Sequence, residues 1–169
     1  MSNEPAPVPQ PRTLTHGEVK AILESGCFET LIGGVEDQLL DCKREPYFVD
    51  NDARKRELAK DVSAFANAQG GTILLGIETR RDPALHADEI ITKIRPFSRD
   101  HLDINRYHQI LRDWLYPTPD IEIQWFQSQQ DDRMGIAAIF IATPQPDRGP
   151  FLLRSPIEDN NRSVSIVVG

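Results

Sequence analysis

Residues 63–78 read "SAFANAQGGTILLGIE", and the character of the chain changes halfway through them. An amphipathic pattern with helical spacing runs from about Ala53 to Ala68, its apolar stripe formed by Leu58, Val62, Phe65 and Ala66. Gly70 and Gly71 then stop it, because glycine reaches the positive φ that a helix terminus commonly uses. "TILLGIE" follows with no polar side chain between Thr72 and Glu78, so it reads as a strand buried on both faces. A helix and a central strand are therefore joined by a two-glycine corner.

The neighbouring segments extend this pattern in both directions. Upstream, "VEDQLLDCKRE" (35–45) carries a short strand around Leu39, Leu40 and Cys42, with Asp41 and Lys43 projecting to one side because residues two apart share a face. Thr15 is placed to cap a short helix over "HGEVKAILESG", with Val19, Ile22 and Leu23 on one face and Gly26 at its end. Downstream, "ADEIITKIR" (87–95) and "INRYHQILRDWLY" (104–116) are helical by period, the second aligning Ile104, Tyr107, Leu111 and Trp114 before Pro117. "IEIQWFQ", "GIAAIFIA" and "SVSIVVG" are strand-like, and "TPQPDRGPFLLR" is a loop feeding a short extended segment.

The 169 residues are most simply one domain, preceded by a proline-rich segment, 1–12, too poor in large apolar groups to order itself. The expected division is a flexible tail over 1–12, a helical segment over 13–32 and the main domain over 33–169. The formal charge of −7 argues against general adhesion to polyanions, although a local basic patch can still bind one. Cys27 and Cys42 lack the spacing of a metal knuckle and are expected to be buried, reduced thiols. No run reaches the roughly 18 apolar residues of a membrane span, and the N-terminus lacks a signal pattern, so the expectation is a cytoplasmic protein without a membrane partner.

Two kinds of chemistry stand out. Glu36, Asp41, Lys43 and Glu78 combine carboxylates suited to a hard divalent cation with a lysine suited to a phosphate, although acids flanking strands are usually only solvated ends. Lys43, Arg44, Arg54, Lys55, Arg56, Lys60, Arg80 and Arg81 could contact a nucleic-acid backbone, with Asp50, Asp52 and Glu57 interleaved among them. Trp114 falls on an apolar stripe, which leaves Tyr47 and Phe48 as candidates for base stacking. The double glycine has no following GKS or GKT and runs from helix to strand, the reverse of a phosphate-binding loop. His16, His86, His101 and His108 have no metal-ligand spacing.

"EDQLLDCKRE" resembles the acid, four residues, acid, any residue, lysine pattern of the Schlafen AlbA-type domain family. "LAKDVSAFANAQGGTILLGIE" is similar to that family's helix, "AFAN", double glycine and strand ending in an acid, and "IAAIFIATPQPDRGPFLLR" to its strand and proline-containing loop. The resemblance implies an α+β fold, a mixed β-sheet flanked by helices around a Schlafen AlbA-like core. It also implies a nucleic-acid-binding domain that in some members is a metal-dependent endoribonuclease acting on structured RNA such as transfer RNA. It implies Glu36, Asp41 and Glu78 as ligands of Mg2+ or Mn2+, with Lys43 as the motif lysine stabilising developing charge. Asp41 stands where the family usually has glutamate, and Glu78 where it usually has aspartate, which changes each ligand's reach by a methylene. The alternatives are a non-catalytic DNA- or RNA-binding module of a regulator or defence protein, and an oligomerisation or interaction domain. A homo-oligomer, or further domains of a longer protein, are compatible with each.

Overall fold

The computed structural model describes residues 9–81, 83 and 88–154. Its centre is a five-stranded mixed sheet, so the α+β architecture expected from the sequence is the one observed. The strands are β1 (Leu40–Lys43), β2 (Gly71–Leu75), β5 (Phe97–Ser98), β7 (Ile121–Gln127) and β8 (Met134–Ile141). β8 is the axis: β2 and β5 pair with it antiparallel, β7 also runs antiparallel to it, and β1 joins β2 in parallel. "GIAAIFI" takes the central place because every one of its residues is buried, which only a strand covered on both faces can use.

Alternation along the strands divides the interior into two cores. Ile73, Leu75, Ala137, Ile139 and Ile141 point to one face, where α2 (Asp52–Ala66) and α3 (Ile104–Trp114) pack. Leu40, Leu74, Ile136, Ala138 and Phe140 point to the other, towards α1 (His16–Ser25) and the 3-10 turn Phe28–Leu31. Each helix starts where a side chain satisfies its first free amides: Thr15 and Glu18 form a capping box on α1, Asn51 caps α2 and Asp103 caps α3. Trp114 is buried in the first core, as its place on the α3 stripe predicted. Leu115–Tyr116 (β6) and Leu152–Leu153 (β9) form a small antiparallel pair, so the late proline-containing loop does feed an extended segment.

Two glycines position the site. At the corner between α2 and β2, Gly70 has φ 76°, and a Cβ there would lie 2.5 Å from the Ile141 carbonyl oxygen. At Gly76 (φ 94°) the chain leaves the central sheet. Its N–H donates to Lys43 O at 2.8 Å, its carbonyl accepts from Arg95 N at 2.7 Å, and a Cβ would lie 2.7 Å from Arg95 O. "TILLGIE", expected as one strand, is therefore two: β2 before Gly76, and β3 (Ile77–Arg81) after it in a separate sheet.

The partner of β3 is a further correction. "ADEIITKIR", expected as a helix, forms β4 (Glu89–Ile94), antiparallel to β3. Ile90 and Ile91 are fully buried there, and a β-branched pair seated on a pleated surface outweighs a weak helical period. The cysteines also depart from expectation in one respect: both are free, but Cys27 is exposed and Cys42 half-buried. Arg12 is tied to the domain, its N–H donating to Gly33 O and its carbonyl accepting from Val35 N. Residues 1–8, His86 and the "SVSIVVG" segment lie outside the described residues. Among the described residues, no helix is long and apolar enough to cross a membrane.

Candidate nucleic-acid interface

Along β1 the strand period does what the sequence predicted, with Asp41 and Lys43 half-buried on one face and Lys43 Nζ 3.1 Å from Asp41 Oδ2. A third group enters from α2: Asp61 Oδ2 lies 3.4 Å from the same ammonium and accepts a hydrogen bond from the Tyr47 hydroxyl at 2.6 Å. Burial pushes the Lys43 ammonium down in pKa, but the Asp41 and Asp61 carboxylates push it further the other way, and the net shift is up. Burial raises the Asp41 carboxyl against the opposing pull of Lys43.

Glu36 completes this group from the loop before β1. Its Oε1 accepts the Cys42 N–H at 2.7 Å, and its own N–H donates to the Glu89 carbonyl at 2.9 Å. Burial pushes the Glu36 carboxyl up to about 7, the charges of Asp41 and Glu89 adding to the effect and the Cys42 amide and Lys43 opposing it. The thiol of Cys42 is raised for the same reasons, first by burial and then by Glu36, Asp41 and Glu89.

Glu78 belongs to different surroundings. Its Oε2 accepts from Arg95 Nε at 2.5 Å, and Lys93 stands opposite it in the β3–β4 ladder. The hydrogen bond from Arg95 holds its carboxyl below the ordinary range, with Arg95, Arg44 and Lys93 contributing as charges. The structure thus brings Glu36, Asp41 and Lys43 together and turns Glu78 towards three cations. Among the described residues, no three His, Cys, Asp or Glu side chains are gathered so that they could hold a metal ion. With Asp41 engaged by Lys43 and Glu78 by Arg95, the donors as placed do not fit a three-acid centre for Mg2+ or Mn2+.

The eight expected cationic contacts do not form one surface. On α2, Arg56 lies about 200° around the helix from Arg54, so the two serve different sides. Lys60 is exposed on the Arg56 side, and Lys55 is half-buried and pairs with Asp52 at 3.7 Å. Arg80 and Arg81 are exposed on β3, Arg81 pairing with Glu89 at 3.3 Å. Lys43, Arg44 and Arg54, by contrast, line one concavity of about 350 Å³ with Tyr47 and Phe48. Beside it a second concavity, of about 510 Å³, is lined by Arg44, Phe48, Lys93, Arg95 and His101. The two stacking candidates separate: Tyr47 is buried, whereas Phe48 is 46% exposed with the Arg54 guanidinium 5.8 Å from its ring centre.

Asp61, Glu89, Lys93 and Arg95 were missed by reasoning from sequence. Asp61 carries no local signal, because an acid on the flank of an amphipathic helix looks like any solvated one. Lys93 and Arg95 did carry one: in "TKIRP" they alternate with Ile94, the period that puts both on one face of a strand.

The N-terminal domain of a RecG-related protein from Nitrosomonas europaea superposes with a TM-score of 0.42 at 14% identity, over 79% of this chain and 82% of that one. No curated protein matches the sequence. The family model described as Schlafen, AlbA_2 matches residues 36–165, from Glu36 of the acidic group through the whole central sheet. The chain therefore belongs to the Schlafen AlbA_2 family.

Proposed function

We propose that this domain binds nucleic acid. The observation that carries the reading is a cluster of cations. In a chain of formal charge −7, five lysine and arginine side chains line the two joined concavities around Phe48 with Glu45 and Glu57. Lys43 is paired to Asp41 and Asp61, Arg54 to Asp50 and Arg95 to Glu78, while Arg44 and Lys93 make no ion pair within 4 Å among the described residues. A cationic concavity on an acidic protein concentrates polyanions locally while net repulsion limits adhesion elsewhere. Family membership supports the same reading. Fluorescence anisotropy with labelled RNA and DNA at increasing salt tests it. Affinity should fall linearly on a log–log plot against salt, and no binding even at low salt, together with self-association, would favour an interaction domain instead.

A second reading is an endoribonuclease that cuts structured RNA such as transfer RNA with Mg2+ or Mn2+. One observation favours it: Glu36, Asp41 and Lys43 stand together, and Lys43 lines the cationic concavity. Glu78 would have to leave Arg95 to join them. Manganese-dependent cutting that Glu36→Gln and Asp41→Asn each abolish would support this reading. Intact RNA with unchanged binding would leave the domain a binding module.

A further inference from the structure

Phe48 stands where its two neighbouring concavities meet, since both are lined by Arg44, Glu45, Pro46 and Phe48. A large apolar ring left 46% exposed gains nothing from water, and the larger concavity beside it combines apolar Ile94, Pro96 and Phe97 with cationic side chains. Arg54, over the ring, lines only the smaller concavity, while the larger one meets Phe48 together with Arg44, Lys93 and Arg95. Among the described residues, Arg44 and Lys93 make no ion pair within 4 Å, so their charge is available to a ligand. Arg95 keeps about a third of its side-chain surface exposed although it is paired to Glu78.

An exposed aromatic ring bordered by unpaired cations matches the chemistry of an unpaired base followed by its phosphates. Base faces can stack on a side chain only when they are not already stacked in a duplex. We propose that the groove between the Arg44–Phe48 segment and the end of β4 seats single-stranded nucleic acid, one base stacked on Phe48 and the adjoining phosphates held by Arg44, Lys93 and Arg95. This rests on the nucleic-acid-binding reading above and narrows it to a strand state and a stacking residue. The basic residues on the far side of α2, Arg56 and Lys60, take no part.

The test is anisotropy with labelled oligo(dT), oligo(rU) and a DNA duplex of equal length, using the full chain, Phe48→Ala, Phe48→Trp and the double variant Arg44→Ala/Lys93→Ala. The single strands should bind more tightly than the duplex, and Phe48→Ala should weaken them roughly tenfold while Phe48→Trp retains binding. The double variant should reduce the steepness of the single-strand salt dependence by about 1.4, from two lost phosphate contacts at roughly 0.7 each. Tighter binding of oligo(rU) than oligo(dT) would identify the sugar. Single-strand binding unaffected by Phe48→Ala, or a preference for duplex, would overturn the groove while leaving nucleic-acid binding in place. No binding of any of the three at low salt by the unaltered chain would overturn both.

Discussion

Glu78 Oε2 accepts a hydrogen bond from Arg95 Nε at 2.5 Å, with Lys93 opposite it in the ladder and Arg44 close enough to depress its pKa. The carboxylate neutralises part of the charge that the adjoining groove presents. A phosphate entering the groove competes with Glu78 for Arg95. The variant Glu78→Gln should therefore bind oligonucleotides more tightly, by about three- to tenfold at low ionic strength, with the gain fading as salt screens it. Anisotropy titrations at two salt concentrations check this. Weaker binding, or loss of a metal-dependent cutting activity, would instead assign Glu78 to the acidic group of Glu36 and Asp41.

Glu36 makes stability depend on pH. Its carboxyl is raised from the ordinary 4.5 to about 7, so between those values the folded state holds a proton that the unfolded state has lost. Stability then falls as pH rises through that window and levels off above it. Glu36→Gln keeps an oxygen able to accept the Cys42 N–H but removes the titration. The variant should be more stable than the parent at about pH 8, on the order of 1 kcal/mol after allowing for partial exposure, with the difference vanishing near pH 4.5. Thermal unfolding of both proteins across that range measures it, and parallel curves would show that Glu36 is charged in the fold.

The Tyr47 hydroxyl ties the β1 end to α2 through Asp61, and the Tyr107 hydroxyl in turn donates to the Tyr47 carbonyl at 2.7 Å. Tyr47→Phe keeps the buried ring and removes only the bond to Asp61, which Lys43 still neutralises. The expected cost is about 1 kcal/mol, or roughly 2–4 °C in melting temperature. An unchanged melting temperature would mean that Asp61 is satisfied equally well by water.

By itself the sequence determined the elements whose signals are local. The helices α1, α2 and α3 and the buried strands β2 and β8 follow from side-chain period, the Thr15 cap of α1 and uninterrupted apolar runs. The pairing of Asp41 with Lys43 follows from the two-residue repeat of a strand. The tertiary structure decided what depends on partners distant in the chain. Residues 89–94 became a strand because β3 offered backbone hydrogen bonds and a buried seat for Ile90 and Ile91. The same pairing placed Lys93 and Arg95 around Glu78, the residue expected as the third acid of a metal site. Asp61 joined Lys43 only when α2 packed against the sheet. Charge–charge geometry is set by the approach of separate elements, and no spacing within one segment encodes it.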